Sequence, residues 1–313
     1  MPDHAFDKLA ILGIGLLGSS IAHAVRAYGG ASDVALWDES EDVRARAARV
    51  LGSDVATSVD AAIRDADCVV LCTPVGVFGQ LTQQIAPFLK PDAVLTDVGS
   101  VKARAAKDMA AHCPEHVHLI PGHPIAGTEK SGPEAGFASL FQDAWHILTP
   151  VPSNDGAYGA AVERLTAFWE GLGAKVETMD PVRHDRVLAI TSHLPHLIAY
   201  NIVSTAYDME SVEQGEVVKY SAGGFRDFTR IAASDPTMWR DVFLNNKDAV
   251  LETLGRFSED LAALQRAIRW DDGETLMREF TRARGIRAAI IDAGLDTAEA
   301  DFGRRHLDPE QKD

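Results

Sequence analysis

The spacing of apolar residues along this chain changes once, near Met179. Before that point short apolar runs alternate with helical stretches. Leu9–Leu12, Asp33–Trp37, Asp67–Thr73, Ala93–Val98, His116–Ile120, Trp145–Thr149 and Ala174–Met179 read as strands. Ser19–Ala27, Gln80–Leu89, Lys102–Ala111 and Ala157–Leu172 read as helices between them. Asp67–Thr73 is apolar at nearly every position, as in a strand covered on both faces. The alternation predicts a parallel sheet with crossover helices. After Met179 the pattern is helical. Asp180-Pro181 and Asp235-Pro236 each set an N-cap acid before a proline at the first helical position. Val250, Leu254, Phe257, Leu261, Leu264 and Ile268 recur at helical spacing and trace one apolar stripe on a long helix. Such a stripe serves either as the core of a helix bundle or as a seam between two copies. The seam is favoured, because a small helical domain buries little apolar surface by itself.

The junction after the first strand adds chemistry to this pattern. Leu12 runs into Gly13-Ile14-Gly15-Leu16-Leu17-Gly18 and then into helix-forming sequence. Gly13 permits a tight turn, Gly15 lets the backbone approach a pyrophosphate, and Gly18 allows close helix–strand packing. The pyrophosphate would rest on free N–H groups at the helix N-terminus, those of Leu16 and Leu17 among them. The second strand ends at Asp38, about twenty residues after Gly18, where an acid hydrogen-bonds the ribose hydroxyls of NAD. Thr73 and Pro74, at the end of another strand, are further candidates for the cofactor edge. NAD is expected over NADP, since Asp38 and Glu39 place negative charge where a 2′-phosphate would sit; Arg44 and Arg46 temper that bias. The expected fold is an α/β Rossmann-type N-terminal domain over residues 1–179. An all-helical C-terminal dimerisation domain is expected over 180–300, with a mobile tail over 301–313.

Composition narrows the function classes. The 313 residues are 46% hydrophobic and 24% charged, an ordinary globular balance, with a formal net charge of −16. That charge argues against nucleic acid as a partner, because affinity for phosphate backbones comes from clustered Lys and Arg. It also requires a local basic pocket for any anionic substrate. Cys68, Cys72 and Cys113 cannot all pair, and Cys68 and Cys72 share one face of their strand, so a reducing, cytoplasmic setting is expected. Leu9–Val25 imitates a signal peptide, but Asp3 and Asp7 outweigh Lys8 where a basic segment belongs. No other stretch reads as a membrane span.

Three segments carry candidate chemistry. His123, in Gly122-His123-Pro124, follows a strand end on the side where open α/β sheets bind ligands, and its ordinary pKa of about 6.5 suits a proton acceptor. From spacing alone, a packed or surface histidine is an equal reading. His193 and His196 stand three apart in the helical half; without a third ligand nearby in sequence, no metal is expected. Arg226 and Arg230 stand four apart, on one face if helical, and Arg is the preferred fork for a carboxylate. A surface ion pair is the plainer use of Arg226.

Together, Gly13–Gly18, Asp97-Val98-Gly99-Ser100-Val101-Lys102, Gly122–Gly127, Ser192-His193-Leu194-Pro195-His196, Gly224–Ala232 and Asp235–Asp241 resemble the prephenate/arogenate dehydrogenase family of tyrosine biosynthesis. The resemblance spans roughly Lys8 to Ile291 and is to the monofunctional form. It implies NAD-dependent oxidative decarboxylation of prephenate or arogenate. It further implies that His123 is the base, that Ser100 assists it, and that Arg230 holds the ring carboxylate. His196, with His193, would line the pocket. Glu129, Asp227 and Trp239 would surround the pocket mouth and the substrate side chain, and Arg226 stands where a basic residue is common. Two other readings stay open: a two-domain β-hydroxyacid or imine dehydrogenase, and a non-catalytic NAD-binding sensor. The choice between prephenate and arogenate, and feedback by tyrosine, are not readable from the residues.

Overall fold

A computed structural model describes residues 4–151, 155–210 and 223–292; the tail expected after residue 300 lies outside them. The chain forms two compact units, one ending at Thr253 and one beginning at Leu254.

The first unit is built on a five-stranded parallel sheet of β1 (Phe6–Leu12), β2 (Ala31–Trp37), β3 (Cys68–Leu71), β4 (Val94–Asp97) and β5 (His118–Leu119). The strand order is β2-β1-β3-β4-β5. Period-two alternation decides which side chains meet which helices. Leu9, Ile11, Cys68 and Val70 join one core with α1 (Leu16–Tyr28) and α6 (Gly156–Gly171). Ala10, Leu12, Val69 and Leu71 join a second with α3 (Val59–Ile63), α4 (Phe78–Ile85) and α5 (Ala103–Ala110). Cys68 lies in the first core and Cys72 packs against it, and both thiols are pushed up by burial. The remaining α-helix of this half, α2 (Glu41–Leu51), is capped by Ser40 and buries only Ala47 and Leu51.

Two strands expected in the main sheet lie elsewhere. β7 (Trp145–Leu148) and β8 (Lys175–Thr178) pair in parallel, and β6 (Gly122–Pro124) pairs antiparallel to β7, forming a separate three-stranded sheet. Pro121 offers no N–H to a ladder, so the chain leaves β5 there and its carbonyl accepts from Thr149 N–H instead. His123 therefore sits inside a short strand rather than in a loop beyond one.

Both Asp-Pro starts are used. Asp180 Oδ1 accepts from the N–H groups of Val182 and Arg183, each at 2.9 Å, and opens α7 (Pro181–Leu188). Asp235 Oδ1 accepts from Thr237 and Met238 and opens the helix Pro236–Asn245. A π-turn at Ala189–His193 carries α7 into α8 (Leu194–Glu210) without a break. The joined run Pro181–Met209 has a mean hydropathy of 1.2 and is long and apolar enough, by length and composition, to cross a membrane. The expectation that no such helix exists is corrected here: the π-turn fuses two segments that are each too short. The same run carries His184, Asp185, His193 and His196, four polar side chains of the candidate site described below.

The second unit holds the rest of the helix Lys247–Arg269, a turn at Asp271 with φ of 54°, and the helix Gly273–Asp292, capped by Asp272 on Thr275 N–H at 3.0 Å. The predicted stripe does lie on one helix, but Leu261 and Ile268 are more than half exposed in the single chain.

Candidate active site

At the nucleotide end of the sheet, the glycines perform separate tasks. Gly13 has φ of 99°, and a Cβ there would lie 2.7 Å from the carbonyl carbon of Cys72. At Gly18 a Cβ would lie 2.0 Å from the Gly13 carbonyl oxygen, so only glycine lets α1 start this close to β1. Next to Gly15 a Cβ would meet nothing within 4 Å, and no side chain caps α1, which begins at Leu16. Thr73 Oγ1 is buried without a partner beside this loop. Open space, uncapped N–H groups and an orphaned hydroxyl fit a bound pyrophosphate. Asp38 closes the loop: Oδ2 accepts from Ile14 N–H at 2.8 Å and Oδ1 from Ser40 N–H at 2.9 Å. Arg44 donates to the carbonyls of Asp38 and Glu39, while Arg46 is held by Glu134 and Asp42.

His123 is the centre of the second cluster. Its Nδ1 lies 2.9 Å from His184 Nε2, and His184 Nδ1 lies 2.8 Å from Asp185 Oδ1. Asp185 is itself fixed by the N-terminus of α5, accepting from Lys102 N–H at 2.7 Å and Ala103 N–H at 2.9 Å. Burial, then the neighbouring His184, hold His123 well below the ordinary histidine range. His184 is also lowered by burial, with Asp185 opposing.

Beneath β6, the Lys102 ammonium is fully buried and donates to Asp97 Oδ1 and, at 2.6 Å, to the Gly122 carbonyl. Asp97 Oδ1 accepts from Gly99 N–H and Oδ2 from Gly122 N–H. Burial raises the Asp97 carboxyl and lowers the Lys102 ammonium, and their mutual attraction opposes both shifts. This pair fastens the end of β4, and so the loop carrying half-buried Ser100, to the residue before His123.

From Asp185 the contacts run on as far as His196. Asn246 Nδ2 donates to the Asp185 carbonyl at 2.8 Å and to His193 Nδ1 at 3.0 Å. Buried His193, its pKa lowered to about 4 chiefly by burial, packs edge-on to Trp239. Trp239 is buried beneath His196, the two rings stacked at 3.7 Å. His196 Nδ1–H donates to the Ser192 carbonyl at 2.9 Å, which leaves Nε2 as the acceptor nitrogen. Burial lowers His196, and the nearby Arg230 lowers it further. Arg230 itself forms an ion pair with Glu129 at 2.7 Å.

The structure thus brings His123, Ser100, His193, His196, Trp239, Arg230 and Glu129 into one neighbourhood of the first unit. Arg226 lies in the α-helix Gly223–Thr229, and Arg230 opens the 3₁₀ turn Arg230–Ala233 that continues it. Arg226 and Asp227 are exposed. His193 and His196 hold different partners, and among the described residues no group of three His, Cys, Asp or Glu converges on a metal position. Sequence reasoning missed His184, Asp185 and Asn246. The available signal was a His-Asp pair within the first turns of a helix whose start, Asp180-Pro181, was legible. It also missed His146, fully buried on β7 and stacked on Trp169 at 3.9 Å, with neither ring nitrogen partnered.

Comparison with known proteins identifies the family. The family model for the prephenate dehydrogenase nucleotide-binding domain matches residues 21–178, and that for the prephenate dehydrogenase dimerization domain matches residues 180–282. The chain is 42% identical over 286 residues to a cyclohexadienyl dehydrogenase of Zymomonas mobilis, covering 91% of this chain and 96% of that protein. It is 34% identical to a prephenate dehydrogenase of Bacillus subtilis, covering 91% of this chain and 76% of that one. A crystal structure of prephenate dehydrogenase from A. aeolicus in complex with hydroxyphenyl propionate and NAD+ superposes with a TM-score of 0.82 at 35% identity. That match covers 91% of this chain and 98% of the other. With both family models spanning most of its length and the Zymomonas mobilis relative aligned almost end to end, the chain belongs to the prephenate dehydrogenase family.

Proposed function

We propose that this chain catalyses the NAD-dependent oxidative decarboxylation of prephenate or arogenate, giving 4-hydroxyphenylpyruvate or tyrosine. The observation that supports this reading is the series of contacts that runs from His123 through His184, Asp185, Asn246 and His193 to Trp239 and His196, with the Arg230 charge near enough to act on His196. Such a substrate carries a ring hydroxyl opposite a ring carboxylate and needs a base at one end and a cation at the other.

Gly13–Gly18, Asp38, Thr73 and Pro74 would hold NAD, which would supply the acceptor for hydride from the hydroxyl-bearing carbon. His123 takes the hydroxyl proton on Nε2, and Ser100 hydrogen-bonds the same oxygen. Arg230 fixes the ring carboxylate until it leaves as CO2, after which the ring is aromatic and the step does not reverse. His196 and Trp239 form the wall over which the ring lies, with His193 buttressing Trp239 from behind. Glu129 and Asp227, with Trp239, are assigned to the pocket mouth and the substrate side chain, and Arg226 to a position where a basic residue is common.

The substrate-binding part is taken to begin at Asp180, after a nucleotide-binding part over 1–179. The helical part is taken to pair two copies into a homodimer, in the cytoplasm. The test is NADH absorbance with prephenate and with arogenate, each with NAD and NADP and with and without added tyrosine. NADH formed from neither substrate would remove the reading. Turnover of a β-hydroxyacid or cyclic imine instead would favour that class of dehydrogenase.

A further inference from the structure

The His123 imidazole has two nitrogens, and only one can serve as base. Which one is decided by its neighbours. Asp185 accepts from Lys102 N–H, Ala103 N–H and His184 Nδ1, so its carboxylate holds the His184 proton on Nδ1. Neutral His184 then presents Nε2 as a lone pair. At 2.9 Å, that lone pair accepts from His123 Nδ1–H. His123 is left with its own lone pair on Nε2. The polarity of the whole series follows from the α5 N-terminus, whose two N–H groups can only donate.

We infer that His184, anchored by Asp185, is a positioning residue that fixes His123 in its Nδ1–H tautomer and leaves Nε2 as the basic nitrogen. The inference rests on the reading of His123 as the base. It assigns to α7 a part in the reaction that no spacing argument assigned. Neither His184 nor Asp185 has to touch substrate. All three residues are buried, so solvent does not compete for the His184 lone pair. Without His184, the His123 ring has no acceptor for Nδ1–H. It then divides between tautomers and between ring orientations, one of which offers the reacting oxygen an N–H instead of a lone pair.

Four variants test this: His184→Leu, His184→Gln, His123→Asn and the double variant His123→Asn with His184→Leu. Each is checked by thermal unfolding and then followed by kcat and KM. His184→Leu removes the acceptor and is expected to lower kcat by about 10- to 100-fold with KM within about threefold of the parent. In His184→Gln the amide oxygen replaces Nε2 as acceptor, and kcat is expected to recover to within about threefold of the parent. The double variant is expected to be no slower than His123→Asn alone, because the two residues act as a unit.

Failure of the two readings looks different. If His123→Asn turns over at the parental rate, His123 is not the base, and the underlying reading falls. If His123→Asn collapses while folded His184→Leu keeps parental kcat, only the positioning role is overturned. The same holds if folded His184→Gln is no faster than His184→Leu, or if the two losses multiply in the double variant.

Discussion

The Arg230 guanidinium meets the Glu129 carboxylate at 2.7 Å, joining a 3₁₀ turn of the helical half to the loop that follows His123. Both side chains are partly exposed, at 42% and 31%, so the pair adds about 0–1 kcal/mol to stability and yields readily to a competing carboxylate. Arg230→Ala should therefore leave the melting temperature nearly unchanged. It should raise KM by more than about tenfold, with a smaller change in kcat, because the carboxylate is present before any bond breaks. An unchanged KM would show that the carboxylate is held elsewhere.

His123→Asn keeps a polar group but not a base, and is expected to lower kcat by about 10²–10⁴-fold. The pH profile carries a second expectation. A histidine accepts a proton only when neutral, so kcat is lost as pH falls through the pKa of the folded site. Burial and His184 hold that pKa well below 6.5. Parental kcat should thus stay level down through pH 6.5 and fall only in more acidic solution. The ordinary value suggested by the residue type alone is displaced by the environment. A loss centred at or above pH 6.5 would count against His123.

Lys102→Met leaves Asp97 buried beside an apolar side chain. Breaking one side of a buried ion pair costs about 3–5 kcal/mol, and urea unfolding should show a loss of that size. Adding Asp97→Asn should recover part of it. A loss below about 1 kcal/mol would mean that the pair is not what fastens β4 to β6.

NAD should be preferred over NADP by tenfold or more, roughly, in kcat/KM. Asp38 is pinned by Ile14 and Ser40 at the tip of β2, Arg46 is engaged by Glu134, and Arg44 faces main-chain carbonyls. Comparable kcat/KM for the two cofactors would show that Arg44 turns to meet the 2′-phosphate.

Leu261, Ile268, Trp270, Met277 and Phe280 are each more than half exposed in the single chain. Light scattering at low micromolar concentration should give about twice the chain mass of 33.8 kDa. Leu261→Asp with Ile268→Asp should shift it toward one chain mass. A parent that is monomeric at full activity would remove the dimer.

Local chemistry made half of this protein readable in advance. The glycine loop, Asp38, both Asp-Pro starts and the strands of the main sheet depend on backbone conformation, on N–H groups that need acceptors and on period-two burial. All of these act between near neighbours in sequence. The stripe from Val250 to Ile268 was legible for the same reason. Other features depended on residues far apart. β7 and β8 carry the same apolar signal as the main strands, and only the exit of the chain at Pro121 sends them to a second sheet. Pro181–Met209 became one long apolar run through a π-turn that no spacing announces. His184 and Asp185 are a polar pair in α7 that no spacing in the sequence marks as part of a site. The α5 N-terminus, 82 positions away from Asp185 along the chain, gave that carboxylate its donors and so gave His123 its tautomer. Sequence determined which groups exist and which elements carry them. Tertiary packing decided which nitrogen holds the proton, because that depends on which donor and acceptor are brought within hydrogen-bonding distance.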